Sequence, residues 1–209
     1  MCIRAGFVAP LQGAGKRVVA FDFPGNGESA GNRLTFDRAG QIAVDLANQY
    51  GNAALLGHSF GASMAVLAAA GAPTMQPSPE VRALVLVAGA DELSDVTQRF
   101  ADTLELKPEV KALIDRRLEE LGGDAIGRFS GVVGVGLAGL PTLLLHDRGD
   151  SIVPISDAER IARETHAELI EVTRLGHNRI LYASEVHDHV VSFLAAHLPV
   201  SEDRVQIPA

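Results

Sequence analysis

Three short stretches, Ala53–Leu56, Ala83–Val87 and Thr142–Leu145, are apolar almost throughout. A strand with one wet face alternates apolar and polar residues. A strand covered on both faces does not, so continuous runs of this length point to a parallel sheet buried between helices. Arg17–Phe21 and Ala167–Val172 complete a set of five predicted strands. Helical patterns lie between and around them. In Thr35–Tyr50, Phe36, Ala39, Ala43, Leu46 and Tyr50 recur at helical spacing. Ser156 and Glu159 form a capping-box pattern at the start of Ser156–Thr165. Val186, Val190, Phe193 and Leu194 make one apolar face of Glu185–Leu198, and Phe7, Val8 and Leu11 make another near the amino terminus. Strands alternating with helices predict an α/β fold: a doubly wound, mainly parallel sheet of about five strands.

The alternation breaks once. No strand pattern occurs from Asp91 to Leu140. Pro108–Leu121 reads as an amphipathic helix with Pro108 in its first turn and Gly122-Gly123 at its end, and Leu93–Leu104 as a second helix. The glycines of Ser130–Pro141 mark a connection. A helical insertion after a strand would sit over the carboxyl ends of the strands, where open α/β sheets bind ligands. The expected division is a core of residues 1–90 and 141–209 with a small helical cap at 91–140. At 209 residues the whole fits one domain.

A candidate for chemistry stands at the first strand-to-helix turn. Gly57-His58-Ser59-Phe60-Gly61 fits G-x-S-x-G, the nucleophile elbow. The serine must sit on a sharp turn with its hydroxyl above the sheet, and small neighbours let helix and strand approach. The helix that follows offers its first N–H groups to developing negative charge. A serine nucleophile needs a base, and the base an orienting acid. His177 follows a predicted strand end, and Asp147 and Asp150 follow another. Asp150 and Asp147 are rival candidates for the acid. Asp91 is a weaker rival that reads better as a cap of the next helix.

Four stretches carry a resemblance to the α/β-hydrolase superfamily: Asp22-x-Pro24-Gly25-x-Gly27-x-Ser29, Leu56–Ala62, His146-x-x-x-Asp150-x-x-Val153-Pro154 and Gly176-His177. Their order, with Ser59 before Asp150 before His177, is similar to that family's. The resemblance, through the spacing to Val153-Pro154, favours Asp150 over Asp147 as the acid. It implies an acyl hydrolase with Ser59, Asp150 and His177 catalytic, and the expected activity is a serine hydrolase cleaving a small carboxylic ester or thioester. Gly57 and Gly61 would shape the elbow, and the Phe60 N–H would help hold the oxyanion. Phe129, Val132, Val133 and Leu137 are expected to reach the cleft from the cap and favour small or medium acyl groups. The alternative is a non-catalytic ligand-binding or signalling homologue, or an inactive shortened form.

The resemblance also implies an earlier strand, between Arg17–Phe21 and Ala53–Leu56, and a His-Gly-type loop with a second oxyanion donor. Neither is present in the sixteen residues before Arg17. Three readings follow. The natural start lies upstream, which is favoured; another protomer supplies the strand; or Arg17–Phe21 pairs directly with Ala53–Leu56. A chain starting at Met1 is then expected to be weakly active and aggregation-prone through its open edges.

Remaining features narrow the classes. Net charge is -8 with scattered basic residues, which speaks against a nucleic-acid partner. A single cysteine, Cys2, rules out an internal disulfide framework. The first residues have no apolar core of signal-peptide length, and no span suits a membrane, so the cytoplasm is the expected compartment. His187 and His189 fall on different helix faces, and no ligand set has zinc spacing, so neither metal nor cofactor is expected. His58 is expected to pack under the elbow, and His146 to be a satisfied core histidine. The expected partner is a small ester-like substrate, with oligomeric state open.

Overall fold

In the computed structural model, which describes residues 4–73, 75–122 and 129–198, the apolar runs form a parallel sheet. Its strands are β1 (Ala53–His58), β2 (Val81–Val87), β3 (Thr142–Asp147) and β4 (Glu168–Val172), in the order β1-β2-β3-β4. Leu56 stands opposite Val85, Leu86 opposite Leu144, and Asp147 opposite Val172.

The runs lack alternation because both faces are covered. Odd-numbered Val85, Val87, Leu143 and Leu145 enter one core with α1 (Arg4–Gly13) and α9 (Ser184–His197). Even-numbered Leu84, Leu86 and Leu144 enter a second core with α3 (Phe60–Ala70), α6 (Gly131–Ala138) and α7 (Ile155–Thr165). Side chains two apart share a face, so every position of a two-sided strand must be apolar. The helical face anticipated for α9 is the buried one, Val186, Val190, Phe193 and Leu194. In α2 (Phe36–Tyr50) the buried residues are Ala39, Gly40, Ala43, Val44 and Ala47. Leu46 and Tyr50 face a cavity instead.

Arg17–Phe21 departs from expectation. It joins no strand, and Val19 and Phe21 are exposed. Its apolar residues suit a strand, yet a strand exists only with a partner, and strand preference follows context more than composition. Between this segment and β1 lies a cavity of about 970 Å³. Direct pairing of Arg17–Phe21 with Ala53–Leu56 is therefore not what forms. Among the described residues β1 is an edge strand.

Two further corrections concern helices. The glycine-rich stretch after Ser130 is α6, not a bare connection. Glycine disfavours helix in isolation, but here it permits contact. A Cβ on Gly134 would stand 2.3 Å from Val66 Cγ1, and one on Gly131 2.8 Å from Ile161 Cδ1. The Asp91 carboxylate accepts from Val132 N at 2.9 Å at the start of α6, so Asp91 caps this helix and not the one that follows it. The Ser156/Glu159 capping box does not form, because α7 starts one residue earlier behind Pro154. Between β2 and α6 run α4 (Leu93–Thr103) and α5 (Pro108–Gly122), close to their predicted spans. Among the described residues no helix is long and apolar enough to cross a membrane.

Candidate active site

The elbow begins with a close approach. A Cβ on Gly57 would fall 2.2 Å from the Gly61 carbonyl oxygen, so only glycine lets the end of β1 meet the first turn of α3. Ser59 joins them at φ 53 and ψ -121. A non-glycine residue there stores about 1–3 kcal/mol of strain, which surrounding bonds must hold. They do so from both sides. Ser59 N donates to Val87 O at 2.9 Å, and Ala62 N donates to Ser59 O at 2.9 Å. Phe60 opens α3, so its N–H is among those with no acceptor inside the helix.

Asp150 lies in the loop after β3 and is buried. Its Oδ1 accepts from Ile152 N at 2.8 Å and Val153 N at 3.0 Å. Its Oδ2 receives His177 Nδ1 at 2.7 Å. His146 stands behind it, with Nε2 2.8 Å from Val153 O and 3.6 Å from Asp150 Oδ2. His177 opens out from α8 (Gly176–Arg179) after β4. Its ring is 4.7 Å from that of His58, centroid to centroid. His177, Ser59 and Phe60 share the wall of the 970 Å³ cavity. Serine, aspartate and histidine thus follow the carboxyl ends of β1, β3 and β4.

Asp147, the rival acid, points elsewhere. Its Oδ1 accepts from Gly149 N and its Oδ2 from Leu175 N, each at 2.7 Å. It braces the loop that carries His177 instead of touching the imidazole. Burial alone pushes this carboxyl up. The N–H groups of Leu175, Gly149 and Gly176, with His146, outweigh burial and hold it below its ordinary 3.8. A depressed folded-state value means stability that is present above the unfolded value and lost as pH falls through the folded one. Asp147→Asn is therefore expected to lower the melting temperature at pH 7, and the gap from wild type to narrow below about pH 4. Thermal melts from pH 7 to pH 3 check this; a gap constant with pH would exclude it.

The four residues expected to reach the cleft line no cavity with Ser59. Phe129, Val133 and Leu137 line a second cavity, about 130 Å³, between α3, α4 and α6. Val132 packs into the core beside α3. Val132, Val133 and Leu137 lie on α6, which seats against α3 where Gly134 meets Val66. A row of rings connects the two places. The Phe36 ring is 5.6 Å from Phe60 and 5.4 Å from Phe129. Among the described residues no group of three or more His, Cys, Asp or Glu side chains is placed to hold a metal.

The sequence model of the alpha/beta hydrolase family matches residues 3–189. Solved structures with this architecture include the esterase Pf2001 of Pyrococcus furiosus, with 19% identity over 91% of this chain and 75% of that one, at a TM-score of 0.66. A monoacylglycerol lipase of Paleococcus ferrophilus has 20% identity over 91% and 89%, at 0.61. NosK of Streptomyces actuosus has 22% identity over 94% of each chain, at 0.67. At these identities the likeness is one of fold. No curated protein matches the chain.

Proposed function

The chain belongs to the alpha/beta hydrolase family, and on that premise we propose that it is a serine hydrolase of small carboxylic esters or thioesters. The observation that carries the reading is the Asp150–His177 hydrogen bond of 2.7 Å, with His177 and a serine held at φ 53 lining one cavity. In this reading Ser59 Oγ attacks the acyl carbonyl, and a C–O bond forms while the hydroxyl proton passes to His177 Nε2. Asp150 holds Nδ1–H and stabilises the imidazolium. The Phe60 N–H donates to the oxyanion. The intermediate collapses, the bond to the leaving group breaks, and His177 returns the proton to it. Water then repeats the sequence on the acyl-enzyme.

The acyl group would enter the cavity of about 970 Å³ that Ser59, Phe60 and His177 share. A cytoplasmic setting and a soluble small-molecule partner belong to the same proposal, from the lone Cys2 and the acidic charge.

The test is labelling with a fluorophosphonate, followed by a p-nitrophenyl ester series. Adduct at Ser59 and faster turnover of acetate or butyrate than of palmitate esters are expected. Folded protein that takes no label would favour the non-catalytic homologue.

A further inference from the structure

We infer that His58 is a positioning residue: by donating from Nε2 to the backbone C=O of His177 it ties the base to the residue next to the nucleophile. The inference rests on the serine-hydrolase reading and extends it to a side chain with no place in the proton relay. The hydrogen bond is 2.8 Å long, and the two rings stand 4.7 Å apart at 50°. A carbonyl only accepts, so His58 Nε2 must carry the proton.

His58 is itself well anchored. It ends β1 opposite Val87, and the next residue, Ser59, donates its N–H to Val87 O. The base is less so. It lies in a four-residue helix entered through Gly176 at φ 64. Two points on His177 are therefore held from two different strands. Asp150, beyond β3, fixes the ring through Nδ1. His58, at the end of β1, fixes the peptide. One hydrogen bond without the other would leave the imidazole free to swing about the remaining contact.

The electrostatics suit a neutral anchor. Burial is the main influence that holds the His58 imidazole below its ordinary 6.5. The His177 carbonyl works against burial, the His177 ring works with it, and Asp150 pulls upward. A neutral His58 adds no second cation beside the imidazolium that forms when Ser59 gives up its proton. A side chain that only filled space would not need its donor aimed at this carbonyl.

Two polar variants separate the hydrogen bond from packing. In His58→Gln the amide nitrogen is as many bonds from Cα as Nε2, so the donor is kept. In His58→Asn it is one bond short of the carbonyl. Fluorophosphonate labelling of Ser59 is expected within about threefold of wild type in H58Q and about 10- to 100-fold slower in H58N, the scale of a misplaced reacting group. In ester hydrolysis kcat should fall in H58N with KM unchanged. Equal rates in the two variants, with both folded by thermal melt, would overturn the inference and leave the hydrolase reading intact. Failure of wild type to label would sink the hydrolase reading instead. His177 imidazole NMR resonances decide the positioning role in that case. Loss of the His58 ring shifts them in both variants, so the two variants are compared with each other: a larger displacement in H58N than in H58Q is expected, and equal displacements would overturn it.

Discussion

Asp150→Asn is expected to lower kcat for ester hydrolysis about 10,000-fold, the size of effect seen when the acid of such a triad can no longer hold the imidazole tautomer. The geometry makes the expectation specific. Asp150 Oδ1 is already bonded to Ile152 N and Val153 N, and only Oδ2 faces His177 Nδ1. An amide cannot accept two backbone N–H groups on one oxygen and also accept Nδ1–H on its nitrogen. The imidazole would turn or take its other tautomer, and Ser59 would lose its base. Ser59→Ala should remove about a millionfold and define the background. Asp147→Asn should cost far less turnover, since Asp147 bonds the backbone of Leu175 and Gly149. Steady-state kinetics on a short p-nitrophenyl ester check all three. Equal losses in Asp150→Asn and Asp147→Asn would contradict the assignment of the acid.

The second large effect lies away from the serine. Arg160→Ala is expected to destabilise the fold by about 3 kcal/mol. The Asp91 side chain is fully buried, and Arg160 Nε is 2.5 Å from its Oδ2. Asp91 Oδ1 holds Ser130 Oγ at 3.1 Å and Val132 N at 2.9 Å, at the start of α6. Arg160 also reaches Asp95 Oδ2 at 3.1 Å, and Arg99 reaches Asp157 Oδ2 at 3.2 Å, so α4 is bound to α7. The hydrogen bond to Asp95 is the main influence that raises the Arg160 pKa above its ordinary value, and Asp91 adds to it. Removing one partner of a buried pair leaves an uncompensated charge, which costs about 3–5 kcal/mol. The lower end applies because the guanidinium is 36% exposed and water screens it. Urea unfolding gives the value. Asp91→Asn in the Arg160→Ala background should recover about 1 kcal/mol or more by removing the stranded charge. If the double variant is no more stable than the single one, the stranded charge is not the cause.

The parallel sheet and the order of the catalytic candidates were legible in the sequence because both rest on local pattern. A strand buried on two faces must be apolar at successive positions, and Leu84 through Val87 display that without reference to any partner. The elbow is equally local. Gly57 is demanded by an oxygen only four residues ahead. Strand ends carry Ser59, Asp150 and His177, so once the strands are placed the three side chains share one end of the sheet. Composition likewise speaks for itself on net charge and the single cysteine.

Other features depend on residues distant in the chain, and only the tertiary structure decided them. Arg17–Phe21 has the apolar content of a strand, but no described strand lies beside it, and a ladder needs two sides. The glycines of α6 break helices in isolation. Two of them sit in one here because Val66 packs on Gly134 and Ile161 on Gly131, and Asp91, some forty residues earlier, caps the first turn. Asp147 and Asp150 are three residues apart and chemically alike. Which of them meets His177 is set by where the β4 loop returns, with Leu175 N over Asp147 and His177 Nδ1 over Asp150. The bond from His58 to the His177 carbonyl spans 119 residues. A sequence displays what a residue's neighbours along the chain require of it; a hydrogen-bond partner brought in by the fold leaves no trace there.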